Sequence, residues 1–256
     1  MENKLAVVVV GATGEMGRVI TSRLAQKGYR VIAVARSEAA LNDLCDTVRA
    51  EVMDADISAC GADISSDSAI EAISAHMELE VAAVVHGPGV TTAGGILAAP
   101  TEAITSAVNI KVGGFVRVVR AVNPWLRRGS RLIAIGGHYG FEPTAYAATA
   151  GVANAALANV VRQYSWAYGD QGVTAHLIAP GPADTPRLRR VAESRAQSEG
   201  SSVDQVLDAM RGESAIGAFT DVGDVAWAVE MLLAPQADSL AGSTLFMDAG
   251  RRRGLP

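Results

Sequence analysis

The stretch GHYGFEPTAYAATAGVANAAL, residues 137–157, gathers side chains suited to moving a proton: His138, Tyr139 and Tyr146. An imidazole titrates near neutrality without help. A phenol, with a pKa near ~10, needs tuning before it acts as an acid at pH 7. Tyr146 lies four residues before Ala150, and four more reach Asn154. A helix that begins early enough would place these three on one face. Packing or surface exposure is the plainer account of each aromatic candidate, and Glu142 reads as a solvated loop carboxylate.

A second constellation sits near the start of the chain. GATGEMG carries glycines at 11, 14 and 17 directly after an apolar run. Gly11 would make a tight turn, Gly14 would let backbone approach a pyrophosphate, and Gly17 would let a helix pack closely on the strand. Thr13, Glu15 and Met16 complete the same turn, whose helix N-terminus attracts phosphate. Arg36 follows the next apolar run, where a carboxylate would bind the ribose 2′-hydroxyl of NAD. A guanidinium there suits a 2′-phosphate, so the expected cofactor is NADP, with NAD less favoured.

These residues need a scaffold, and the hydrophobic pattern supplies one. Short apolar runs at 5–10, 31–35, 57–64, 81–86, 131–135, 173–179 and 243–248 read as strands. Between them, 15–27, 38–49, 103–125 and 145–168 read as helices. Continuous apolar strands alternating with helices predict one α/β domain over 1–256, a seven-stranded parallel sheet with helices on both faces. In such sheets ligands lie beyond the carboxyl ends of the strands, at the point where strand order reverses. The irregular region 180–219, with a helical stretch at 201–211, is a candidate substrate lid over about 182–218. Arg187, Arg189 and Arg190 within it could meet an anionic substrate, although a solvated helix end is the plainer account.

Composition narrows the rest. Apolar residues make up 49%, charged residues 19%, and net charge is −5. That describes a soluble globular chain and offers nucleic acid no basic surface. The cluster Arg251–Arg253 reads as a solvated tail. The first apolar run is too short for a membrane span, so a cytoplasmic protein is expected. Cys45 and Cys60 show no metal-ligand spacing and read as buried, reduced thiols.

Over nearly its whole length the chain resembles the short-chain dehydrogenase/reductase family. GATGEMG resembles the family's glycine motif, and Asp63-Ile64 the pair that holds adenine. HGPG, from His86 through Gly87 to Gly89, stands at the family's turn after strand four. There Gly89 matches, while two asparagines and an alanine do not. Asn109 matches the helix asparagine, and APGPADTP, with Pro180, Gly181 and Thr185, the segment that packs on the nicotinamide. The resemblance implies a Rossmann-like, doubly wound fold, a nicotinamide cofactor, and a homodimer or homotetramer built on the helices at 101–125 and 145–168.

It also implies a serine, a tyrosine and a lysine for proton transfer. Aligned on AGVANAAL, those positions hold Gly137, Ala150 and Asn154. Asn154 could replace one of the lysine's hydrogen bonds to ribose, and Asn109 alone of the catalytic group remains. The first expectation is an NADP(H)-dependent oxidoreductase for a small carbonyl or alcohol, with Tyr146, His138 or water as a non-standard proton donor. A lyase, isomerase or dehydratase on the same fold is the second. A catalytically silent cofactor-binding or partner subunit is the third.

Overall fold

Runs of valine, isoleucine and alanine bounded by glycine or polar turns form seven strands in a single sheet. The structure, a computed structural model, describes residues 4–91 and 94–254. The strands are β1 (Ala6–Val10), β2 (Arg30–Ala35), β3 (Ile57–Gly61), β4 (Val81–His86), β5 (Leu126–Ile135), β6 (Thr174–Pro180) and β7 (Thr244–Met247). Their order is β3-β2-β1-β4-β5-β6-β7 and every pairing is parallel. This is the expected Rossmann-like α/β architecture. All five residues of β1 and all six of β4 are buried, because helices cover both faces.

One face is packed by α1 (Glu15–Gln26), α2 (Glu38–Glu51) and α9 (Val222–Leu232), through Ile20, Leu24, Leu41, Leu44, Val225 and Val229. The other is packed by α3 (Ser68–Ser74), α5 (Gly114–Val122) and α6 (Ala148–Tyr168), through Ile73, Phe115, Val118, Leu157 and Val161. A further helix, α4 (Thr101–Val108), lies along α6, where Ala107 meets Ala153. After β6 come α7 (Pro186–Glu199) and α8 (Val203–Gly212). They close on each other through Leu188, Ala192, Val206 and Met210. Among the described residues no helix is long and apolar enough to cross a membrane.

Several expected boundaries move. The strand read at 57–64 stops at Gly61, because Asp63 turns the chain by accepting from the backbone N–H of Ser65 at 3.0 Å. The single helix read at 103–125 is α4 and α5 joined by a π-helical turn, Asn109–Gly113. The helix read from 145 begins at Ala148, so Tyr146 lies in the loop before it and the shared helical face does not form. The region read as irregular is mostly helix. Its N-caps explain this: Thr185 accepts from Leu188 N at the start of α7, and Ser202 forms a capping box with Gln205 on α8. The tail read as solvated is anchored. Arg251 is buried, donates to the Met210 carbonyl at 2.7 Å and pairs with Glu213, while Arg252 lies over the Phe246 ring.

The β1–α1 turn sets the position of the site. Gly11 has φ +78, in the left-handed region that favours glycine. A Cβ on Gly17 would fall 2.8 Å from Ala12 Cα and closer still to the Gly11 carbonyl oxygen, whereas one on Gly14 would sit at 3.4 Å from that oxygen. Gly17→Ala should therefore lose about 1–3 kcal/mol or more to overpacking, while Gly14→Ala stays near wild type in stability. Urea denaturation of the two variants side by side checks this, and equal midpoints would contradict the close packing.

Candidate functional site

Strand order reverses between β1 and β4, and a cleft opens beyond their carboxyl ends. It has two lobes. The first, about 500 Å³, is lined by Gly11, Thr13, Gly14, Glu15, Met16 and Gly17 of the glycine turn, by Arg36 after β2, by Ala62 and Ile64, and by Gly87, Pro88 and Gly89 after β4. The second, about 220 Å³, is lined by Gly136, Gly137, His138, Tyr139, Tyr146, Ala150, Asn154, Pro180 and Gly181, with Lys111 and residues of α7. Met16, Thr185 and Arg187 border both lobes.

The first lobe has the chemistry of a nucleotide site. The N-terminus of α1 opens into it with Gly14 as N-cap and, among the described residues, no side-chain cap hydrogen bond. Such a terminus attracts phosphate. Arg36, Arg187 and Arg190 add positive charge. Asp63 stands outside the lining set. Its Oδ1 accepts from Ser65 N and Oγ, and these two bonds hold its carboxyl below the usual range.

In the second lobe, burial decides what each polar group can do. His138 is buried against Tyr139, ring centroids 3.9 Å apart. Burial first, then the Arg251 charge, lowers its pKa from 6.5 to about 4. The expectation that this imidazole titrates near neutrality is thus overturned. The hydroxyls of Tyr139 and Tyr146 share a hydrogen bond of 2.8 Å. Burial, followed by that bond, raises the Tyr139 phenol. The Arg195 guanidinium lies 5.1 Å from the Tyr146 ring centroid. Asn154 lines this lobe and is buried, its Oδ1 without a hydrogen-bond partner among the described residues. Its Nδ2 lies 2.9 Å from where a Cβ on Gly137 would stand, so any side chain at 137 would displace the amide.

Two other expected residues sit elsewhere. Asn109 points away from the cleft, donating to Ser65 O at 2.9 Å and accepting from Arg117 Nη1 at 2.8 Å. It pins the π turn to the loop after β3. His86, expected at the cofactor, is wholly buried under the sheet, 5.3 Å from the Phe115 ring. The peptide groups of Ile110 and Lys111 lie beside it without a well-formed hydrogen bond to either ring nitrogen. Thr185 is at the cleft, but its hydroxyl caps α7 and donates to the Ala183 carbonyl at 3.2 Å.

The pattern also concealed one group. Lys111 stands on the π turn, is 6% exposed, and donates from Nζ to the Ile135 carbonyl at 2.8 Å. A lone lysine inside NIKVGGFV was the available signal. A regular helix of period 3.6 would not have announced where it points.

Comparison with known proteins places this geometry. Residues 11–252 match the sequence profile of the family described as Enoyl-(Acyl carrier protein) reductase. The chain belongs to the short-chain dehydrogenase/reductase family. A putative ketoacyl reductase of Streptomyces coelicolor is 25% identical over 250 residues, covering 95% of each chain. L-sorbose reductase from Gluconobacter frateurii, solved with NADPH and L-sorbose, superposes with TM-score 0.89 at 20% identity, covering 99% of this chain and 98% of its own. An NADPH-bound short-chain oxidoreductase from Pseudomonas aeruginosa PAO1 containing an atypical catalytic center superposes at 0.86 and 20% identity, covering 99% and 100%. At these identities the structural likeness concerns the fold.

Three buried histidines make stability pH-dependent. Burial leads in lowering His86 to about 3, and His138 and His176 to about 4, from 6.5. Unfolded histidines protonate near ~6.5. Between pH 6.5 and 4 the unfolded chain therefore holds more protons, so stability is complete above that window and falls as pH drops through it. The thermal midpoint should decline steadily from pH 6.5 to 4. A midpoint flat across that range would refute neutral burial of these rings.

Proposed function

We propose that the protein is an NADP(H)-dependent oxidoreductase acting on a small carbonyl or alcohol with a non-standard proton donor. The observation that carries this reading is the two-lobed cleft with Arg36, rather than a carboxylate, directly after the last residue of β2. The residues fit the cofactor: a phosphate-ready helix terminus, a glycine turn that puts no side chain into the first lobe at positions 11, 14 and 17, and an Asn154 oxygen without a partner among the described residues, on a side chain that lines the adjoining lobe. The glycine turn would hold the pyrophosphate, Arg36 the 2′-phosphate, Ala62 and Ile64 the adenine. Pro180, Gly181 and Thr185 would flank the nicotinamide, and Asn154 its ribose. Bound nicotinamide supplies or accepts a hydride. NADPH in the complexes of the Gluconobacter and Pseudomonas neighbours supports the choice of cofactor.

The chain's own residues orient the substrate, exclude water and move one proton. The second lobe, at about 220 Å³, suits a small molecule. The positions corresponding to the family's serine, tyrosine and lysine are Gly137, Ala150 and Asn154, none of which releases a proton near neutrality. Burial disfavours His138 and Tyr139 as acids, and the Tyr146 hydroxyl is engaged with Tyr139. The α7–α8 pair acts as a lid, since Leu188, Val191 and Met210 wall this lobe. Self-association into a dimer or tetramer would use α4, α5 and α6, the last exposing Val152 and Trp166.

Fluorescence titration tests the reading. NADPH should bind at micromolar concentration and NADH at least about tenfold more weakly. Arg36→Ala should erase the preference, because a charge-assisted hydrogen bond contributes about 1.5–3 kcal/mol. No binding of either nucleotide, or binding without NADPH consumption across a carbonyl panel, would defeat the proposal. Product formed without any nicotinamide would instead favour a lyase or isomerase.

A further inference from the structure

The chain contains three lysines. Lys4 pairs with Asp56 at 2.9 Å and Lys27 with Glu230 at 2.6 Å, both at the surface. Lys111 is buried and lines the second lobe, which no aspartate or glutamate borders among the described residues. Its single hydrogen bond there is to the carbonyl of Ile135, the last residue of β5, just before Gly136 and Gly137. An ammonium has three N–H donors, so two remain for a molecule in the lobe. The π turn makes this reach possible, because its extra residue rotates position 111 relative to a regular α-helix.

The titratable and charged neighbours are His86 on β4, Arg187 on α7, and His138, Tyr139 and Tyr146 around the lobe. None is a carboxylate, so nothing stabilises the charged form by pairing. Burial, with the Arg187 charge second, lowers the Lys111 ammonium from 10.5 to about 7. A proton donor is most effective when its pKa lies near the working pH.

We propose that Lys111 is the proton donor of the reaction, its Nζ meeting the substrate oxygen on the floor of the second lobe. The assignment rests on the oxidoreductase reading and supplies its missing acid. The carbonyl carbon takes the hydride, its π pair moves onto oxygen, and that oxygen takes a proton from Nζ. The nicotinamide is oxidised, the carbonyl is reduced to the alcohol, and the neutral amine regains its proton from water. The acid thus comes from the π turn between α4 and α5 rather than from α6.

The test combines Lys111→Met and Lys111→Arg with ¹³Cε-lysine NMR of the whole protein. Of the three wild-type signals, the one absent from Lys111→Met should titrate near neutrality. With NADPH and either diacetyl or ethyl acetoacetate, wild-type kcat should fall as pH rises above about 7, because the acid form is lost. Lys111→Met should bind NADPH within threefold of wild type, keep its thermal midpoint, lose about 100-fold or more in kcat, and show no such pH limb. Lys111→Arg should lose as much, since a guanidinium stays protonated. Either variant within threefold of wild-type kcat, a persisting limb in Lys111→Met, or a Lys111 signal that titrates at the ordinary lysine value near ~10.4 would overturn the assignment. A wild-type protein that binds no NADPH, or leaves both probes unreduced, would overturn the oxidoreductase reading and the donor with it. That failure is distinguishable because it arises in the wild type rather than in the comparison of variants.

Discussion

Where any other residue carries a Cβ, Gly17 carries a hydrogen, and the Gly11 carbonyl occupies the space. This contact lets α1 begin immediately beyond β1 with its axis aimed into the cleft. It places unsatisfied N–H groups where strand order reverses, and it leaves the first lobe open between the ends of β1, β2 and β4. The sheet beneath is wholly parallel and buried on both faces, so it has little freedom to accommodate a shifted helix. The second lobe inherits its position from the first, since three residues border both.

A second constraint is the cost of placing polar groups inside. Lys111 is held by one backbone carbonyl, Asn154 leaves an oxygen unpartnered, and His86 leaves two nitrogens so. Unsatisfied buried polar groups are costly, and natural folds keep few of them. Here Lys111 and Asn154 line the second lobe and His86 lies beside the π turn, while other unpartnered buried atoms among the described residues, such as the hydroxyls of Thr21 and Ser58, lie elsewhere in the fold. By contrast Arg131, almost fully buried below the other end of the sheet, is satisfied by the carbonyls of Leu232 and Ala234, by Thr174 and by Asp238. That arginine is part of the architecture.

The fold was legible because its signals are local. Continuous apolar runs such as LAVVVV need two covered faces, and GATGEMG needs a strand before it and a helix after it. The lining of the first lobe followed from the same motif. The second lobe was less legible, for reasons that are physical. Asn109 matched a motif position, yet the π turn carries its side chain to Ser65 and brings Lys111 to the cavity. Sequence spacing alone does not disclose an inserted residue in a helix. Tyr146 was placed on a helical face that starts two residues later, although its ring still reaches the lobe from the loop. His138 was credited with a free imidazole's acidity, which depends on burial that only tertiary packing fixes. Arg251 read as solvated because its acceptors, Met210 O and Glu213, lie some forty residues earlier in the chain.

Met16, Thr185 and Arg187 border both lobes. On the proposed placement the nucleotide passes these side chains and reaches Asn154, so a substrate meets a surface made partly of protein and partly of cofactor. Whatever rotamer of Arg187 the nucleotide selects becomes part of the shape offered to the second ligand. The converse holds with equal strength, because free-energy coupling between two bound molecules is the same from either direction. Such coupling is an equilibrium property, the same whichever molecule arrives first, and a small molecule tight enough to fix Arg187 would change the apparent affinity for the nucleotide through that one side chain.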